Sequence, residues 1–365
     1  VFCIYGEKME TGTTLTTAYK PTVSRWRFGQ YSIRYNRREI TIAVILALMV
    51  FLLTSFALTV GKFPISSEQI IAIALGEHSY PLQERVLVNI RLPRILTALC
   101  VGAALGVSGA IFQSVSNNPL GSPDIIGFTS GAATGALLQI IMYRAEPWQV
   151  SAAAVAGGMA TALVVYFLSR KQGQVGRYRL ILTGIGVGSI LTALNGLLLV
   201  KGDLDDALTA GLWLSGSLHS RTWQHVVPVF IALLVCIPLI KLLVRSQLMS
   251  EMGNDIARQL GVRVESVQFA MMLLAVVLAA MATGAAGPIA FIALAAPQLV
   301  RRLRASEGLP IISSALMGAC LLVCADLLTM LLPWQLVLPI GRVTGILGGL
   351  YLLWLLSRAS SPKSN

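Results

Sequence analysis

The sequence predicts an all-α fold, a polytopic bundle of transmembrane helices, and three observations predict it. Of 365 residues, 55% are apolar and 12% charged, with a mean hydropathy of +0.75. A soluble domain carries roughly a quarter charged residues. The apolar residues gather in nearly charge-free blocks of roughly 18–24, the length that takes one helix across a ~30 Å hydrocarbon layer. The basic residues, 28 Lys+Arg against 16 Asp+Glu, fall between these blocks and mostly in alternate gaps.

The blocks run approximately over 40–60, 95–115, 124–143, 148–169, 179–200, 225–244, 267–286, 287–301, 310–332 and 338–357. The first follows a polar tail over 1–38 that holds Arg25, Arg27, Arg34, Arg37 and Arg38. Without an apolar core this tail is no secretory signal, and it is expected to be cytoplasmic and disordered. The second block enters behind Arg91-Leu-Pro-Arg94, and the third follows the turn residues Asn118-Pro119 and Pro123. The eighth is short, interrupted by Gly287-Pro288 and by Pro297. With ten spans and the N-terminus inside, 20 Lys+Arg lie inside and 8 outside. That bias predicts both termini in the cytoplasm. The permease-like body is then 39–358, with an internal loop at 246–266 and a C-terminal tail at 359–365.

Composition excludes several function classes. The net charge of +12 follows from topology, because no basic run interleaves with aromatic residues on a soluble surface. Of five cysteines, Cys100, Cys236, Cys320 and Cys324 lie inside apolar blocks and Cys3 in the tail. No ligand set accompanies them, so neither a metal site nor a disulfide is expected. Glycines recur every fourth residue at Gly102/Gly106, Gly127/Gly131/Gly135, Gly184/Gly188 and Gly341/Gly345/Gly349. Such stripes let neighbouring helix backbones approach, so all four are expected to be packing faces. Gly184-Ile-Gly186-Val-Gly188 lacks the last glycine and the preceding strand of a dinucleotide site. Gly106-Val-Ser108-Gly109 has the G-x-S-G pattern of an intramembrane protease. The histidines, His78, His219 and His225, lie in or beside predicted external loops, away from that serine. No G-x-x-x-x-G-K-[ST] phosphate loop occurs, so ATP-driven work needs another subunit.

The stretch from Ile90 to Ala132 carries the most information. Arg91–Arg94 reads R-L-P-R, Gly102–Gly109 reads G-A-A-L-G-V-S-G, and Gln113, Asn118–Pro123 and Ile126–Ala132 follow. Further on come Gly287-Pro288-Ile289-Ala290-Phe291, Ala296-Pro297, Ala325-Asp326 and Leu338-Pro339-Ile340-Gly341. This pattern resembles the FecCD family, the permease subunits of ATP-binding-cassette importers for iron-siderophores, haem and vitamin B12. The resemblance covers about 40–360 and implies the architecture of the B12-importer permease. It also implies two cytoplasmic ATPase subunits that hydrolyse Mg-ATP, a second homologous permease and a periplasmic substrate-binding protein. No cofactor bound by this chain is implied. Gly121–Gly127 and Ala207–Trp213 are most similar to the ferric-enterobactin branch, which implies a ferric catecholate substrate and a heterodimeric pore.

Individual residues acquire expectations from charge, spacing and that resemblance. Arg91 and Arg94, three apart at a helix start, suit carboxylates of a docking protein or snorkel to lipid phosphates. The family resemblance favours docking; a third basic position of that cradle aligns with Met330, and Arg342 can substitute. In the loop at 246–266, Ile256, Ala257 and Leu260 make the apolar face of a short helix beside Asp255 and Arg258, bracketed by Gly253 and Gly261. Either it is a solvated loop helix or, as the resemblance implies, Met252–Gly261 seats in the ATPase as a coupling helix. Polar groups inside the bilayer are costly and therefore informative. Gln113, Asn118, Pro119 and Pro123 are read as a structural turn. Thr183, Ser189, Thr192 and Asn195 are candidates for lining the pathway. Asp326 is read as a structural hydrogen-bonding acid rather than an ion-coupling one, with no basic partner inside the membrane.

The resulting expectation is a multi-pass inner-membrane permease that imports a ferric siderophore by alternating access. The alternatives within the class are another siderophore, haem or vitamin B12. A proton-driven secondary transporter needs coupled intramembrane carboxylates or histidines, and Asp326 alone qualifies. A membrane-embedded enzyme needs a nucleophile–base pair or a metal cluster, and the spans contain no such set.

Overall fold

The computed structural model describes residues 23–28, 31–61, 63, 65–76, 80–171, 174–304, 308–331 and 338–359. The expectations for residues 1–22, Cys3, His78 and 360–365 lie outside these. The chain divides into a small unit up to Thr41 and a large one from Ile42 onward.

The described part of the small unit contains a hairpin. Strand β1 (Val23–Phe28) pairs antiparallel with β2 (Tyr31–Asn36), setting Trp26 opposite Ile33 and Phe28 opposite Tyr31. Tyr31, Ile33 and Tyr35 alternate with Ser32, Arg34 and Asn36, the period-two pattern of a strand.

The large unit is helical. Its elements are α1 (Arg37–Thr59), which begins in the small unit, then α2 (Ser67–Ala74), α3 (Pro81–Val86) and α4 (Leu92–Val115). A π-helical turn at Leu87–Arg91 joins α3 to α4 into one continuous rod. There follow α5 (Phe128–Leu137), α6 (Pro147–Ser169), α7 (Arg177–Lys201), α8 (Leu204–Leu214) and α9 (Trp223–Glu251). Last come α10 (Asn254–Gln259), α11 (Val264–Ala286), α12 (Ile292–Arg304), α13 (Ile311–Leu331) and α14 (Ile340–Ala359). A two-residue ladder, β3 (Arg170–Lys171) with β4 (Gln174–Val175), closes the α6–α7 turn.

Each of the ten apolar blocks is helical, but not all are full-length spans. Seven helices among the described residues are long and apolar enough to cross a membrane: α1, the α3–α4 rod, α6, α7, α9, α11 and α13. The third block is divided among a 3-10 turn at Pro123–Ile126, α5 and a π-helical turn at Leu138–Met142. The eighth forms the 13-residue α12, because Gly287 at φ +76° and Phe291 at φ +68° break the chain before it. Helices α2, α3 and α8 lie in segments read from sequence as loops.

Helix α4 is the centre of the bundle, with Val101, Ala104, Val107, Ala110 and Ile111 fully buried. A Cβ at Gly102 would run into the Gly318 carbonyl of α13, and one at Gly106 into the Ser314 carbonyl. Backbone-to-backbone contact this close explains why those positions lack side chains. Gly135 of α5 meets the Ala153 carbonyl of α6 in the same way, Gly131 meets the Thr161 side chain of α6 first, and Gly184 of α7 meets the Ile125 carbonyl. The fourth stripe differs. Gly341 and Gly348 of α14 abut Pro288 and Phe291, whereas Gly345 and Gly349 meet nothing within 4 Å. Ser108 of the protease-like pattern is buried and donates to the Ala275 carbonyl at 2.7 Å, holding α4 to α11.

Candidate coupling and translocation sites

The internal loop folds as a short helix between two glycines in left-handed backbone. Gly253 at φ +128° ends the run of α9, and Gly261 at φ +83° ends α10. Ala257 is fully buried against the bundle, while Met252, Ile256 and Leu260 are 70%, 50% and 62% exposed. Arg258 is bound on two sides, donating to Asp255 at 3.0 Å and to Glu265 of α11 at 2.6 Å. The Glu265 carboxylate that takes its hydrogen bond pushes the Arg258 guanidinium above its ordinary value. The loop is thus braced to α11 by charge while three apolar side chains point to water.

Behind this loop lies a cluster that sequence reading missed. The Ser114 hydroxyl of α4 donates to the Glu251 carboxylate at the end of α9, and Gln247 Nε2 donates to Ser114 Oγ at 3.1 Å. These groups sit by a cavity of about 700 Å3 that Arg301 also lines. The available signal was the four-residue spacing of Gln247 and Glu251 just past an apolar block. Beside it, Gln113 donates to the Leu294 carbonyl at 3.0 Å, and Gln298 to the Pro119 carbonyl at 2.5 Å. Asn118 Oδ1 accepts from the Leu120 amide at 2.9 Å, closing the turn that leads to Pro123.

The three arginines expected to form one docking set have three different environments. Arg91 is buried, and its guanidinium donates to the carbonyls of Leu58 and Phe63 at the end of α1. Its N–H groups are thus taken up by the backbone near the end of α1. Arg94 grips Asp326 of α13, with Nη2 2.8 Å from Oδ1 and Nε 3.1 Å from Oδ2. The acid thus has a basic partner inside the bundle, correcting the expectation that it had none. Arg342 donates through Nε to Ser215 Oγ at 3.2 Å and lines a separate cavity. Met330 is half-buried near the end of α13.

Along α7 the four polar candidates divide. Asn195 is buried, accepting from Thr134 Oγ1 at 2.7 Å and donating to the Ser130 carbonyl at 3.2 Å. Thr192 donates to the Gly188 carbonyl and meets the Ser130 hydroxyl at 3.1 Å. These two stitch α7 to α5. Ser189 stays on the exposed face and bonds its own helix at Ile185, while Thr183 is half-buried.

Residues 22–358 match the FecCD transport family. The chain belongs to that family. Its FecCD relatives include the ferric enterobactin transport system permease protein FepG of Escherichia coli (strain K12), 42% identical over 91% of this chain and 100% of that one. The achromobactin transport system permease protein CbrC of Dickeya dadantii (strain 3937) is 35% identical over 91% of this chain and 95% of its own. The hemin transport system permease protein HmuU of Yersinia pestis is 36% identical over 76% and 84%. A solved structure described as an inward-facing conformation of a metal-chelate type ABC transporter superposes with a TM-score of 0.79 at 28% identity. It covers 87% of this chain and 99% of that one.

Proposed function

We propose that this FecCD chain is the transmembrane permease subunit of an ATP-binding-cassette importer that carries a ferric siderophore, a catecholate such as ferric enterobactin, across the bacterial inner membrane. The full-length similarity to a ferric enterobactin permease is the observation that carries this reading. The chain catalyses no bond change in this scheme. A substrate-binding protein delivers the chelate outside, and two cytoplasmic ATPase subunits hydrolyse Mg-ATP. Their closure moves the permease between outward- and inward-open states.

Helix α10 supplies the contact through which that closure reaches the membrane. Met252, Ile256 and Leu260 are the anchors an amphipathic helix lays into a groove, and the bracing of Arg258 by Glu265 transmits the push to α11. A second, homologous permease completes the pore, for which Ser189 on the exposed face of α7 is a lining candidate.

Radio-iron uptake tests the substrate directly. A host that lacks FepG but retains its outer-membrane receptor, binding protein, ATPase and partner permease should regain uptake from ferric enterobactin, and an inactive ATPase should abolish it. No uptake with this chain's own neighbouring subunits in place would remove enterobactin. The hemin permease among the relatives makes haem the next substrate to try. Ile256→Asp should abolish copurification of the ATPase while leaving the permease in the membrane; unchanged copurification and transport would refute the coupling role.

A further inference from the structure

The charged groups of the large unit meet different partners. Arg94 holds Asp326, and at the loop ends Arg144 holds Asp203 and Asp206. Arg342 is exposed at the start of α14. Its Nε donates to Ser215 Oγ, and among the described residues no carboxylate lies within ion-pair distance of it. Ser215 in turn donates to the Gly211 carbonyl at 2.9 Å, so the hydroxyl is oriented to accept from the guanidinium.

Arg342 is held there by backbone packing. The preceding Gly341 lies so close to two carbonyls that a Cβ would sit 2.6 Å from both the Pro288 and Ser215 oxygens. That contact fixes the start of α14 against the broken segment before α12 and against the end of α8. The guanidinium therefore lines a cavity of about 380 Å3, shared with Asp124, Thr129 and Thr283 and otherwise walled mainly by apolar groups such as Leu214 and Ile289. Asp124 has its own partner there, accepting from the Thr129 hydroxyl.

An exposed arginine that lines a mainly apolar cavity, with no carboxylate within ion-pair distance among the described residues, attracts an anion of matching geometry. Among the described residues only the Nε of its guanidinium is hydrogen-bonded, so its terminal N–H groups can meet paired anionic oxygens, which a catecholate presents side by side. Three catecholates around one ferric ion make a net trianion. We propose that this cavity is a way-station for the anionic ferric chelate, in which Arg342 receives one catecholate arm. Asp124, lining the same cavity, repels that arm and keeps its stay short. Conduction needs binding strong enough to enter and weak enough to leave. This station rests on the catecholate reading above.

Ala290 is exposed and lines the same cavity, so a cysteine there reports on the local potential. Ala290→Cys would be built in a chain whose five native cysteines are replaced by alanine, assembled with its partners in membrane vesicles. Labelling rates would be taken with an anionic sulfonatoethyl and a cationic trimethylammonioethyl thiosulfonate, each relative to a free thiol. The anionic reagent should react faster, Arg342→Gln should lower the anion-to-cation ratio about tenfold, and Asp124→Asn should raise it. Ferric enterobactin should protect the cysteine, whereas a neutral ferric trihydroxamate should not. Arg342→Gln should also lower uptake kcat/KM about tenfold, with Arg342→Lys recovering part of it. ATPase copurification serves as the check that the variants fold.

A charge ratio indifferent to Arg342, or an unchanged kcat/KM in Arg342→Gln while the parent chain transports ferric enterobactin, overturns the station and leaves the substrate reading intact. A parent chain that neither transports nor is protected by ferric enterobactin, yet shows the Arg342-dependent ratio, overturns the catecholate as occupant.

Discussion

Helices α4 and α14 carry the same four-residue glycine spacing, and only α4 uses it as written. Gly102 and Gly106 both press against the backbone of α13, so the stripe and the packing face coincide. On α14 the packing face runs through Gly341, the buried Thr344 and Gly348, while Gly345 and Gly349 open onto space. Spacing tells which residues share a face. It does not tell which face meets a neighbour, and for α14 that is decided by the broken segment at Pro288 and Phe291.

The comparison can be broken by substitution. The largest effect is expected at Gly106→Leu, where the obstacle is backbone and cannot turn aside. A loss exceeding about 3 kcal/mol should remove the monodisperse folded chain from detergent extracts. Next is the Arg94–Asp326 pair, which fastens the same two helices nearer one end. Asp326→Ala strands a guanidinium and should cost about 2–3 kcal/mol, less than a fully buried pair because the Arg94 side chain keeps 20% of its exposure. The double variant Arg94→Ala/Asp326→Ala should be more stable than Asp326→Ala alone. If the two single losses merely add, the pair is not coupled.

Gly348→Ala comes third. Its Cβ would meet the ring of Phe291, a side chain rather than backbone but carried on a left-handed residue with little freedom to shift. A cost of about 1–2 kcal/mol should appear as a lowered melting temperature. Smallest are Gly345→Ala and Gly349→Ala, which should leave the isolated chain unchanged or stabilise it by up to about 1 kcal/mol through helix propensity. If either destabilised the chain as Gly348→Ala does, the assignment of the two faces of α14 would be wrong.

Local and one-dimensional properties were legible from sequence because each follows from a single stretch of chain. The ten blocks became helices since ~20 apolar residues in lipid have no other way to satisfy their backbone. The helix in the internal loop appeared between Gly253 and Gly261 because both must adopt backbone that other residues avoid. The R-L-P-R entry and the scattered later motifs carry the family resemblance along the chain. The β1–β2 alternation of Tyr31, Ile33 and Tyr35 is present too, within a stretch rich in arginine.

What only the tertiary structure decided is which partners those stretches find. Arg91 and Arg94 lie three residues apart, yet one turns to the end of α1 and the other to an acid 232 residues away. Gln247 and Glu251 share a helix face by spacing, but only folding brings Ser114 to them, 133 and 137 residues away in sequence. Sequence by itself determined that this chain crosses the membrane many times, to which family it belongs and where it bends. The fold decided which charges are neutralised, which glycines touch and which arginine faces a cavity, because those depend on helices far apart in sequence coming within a few ångströms of one another.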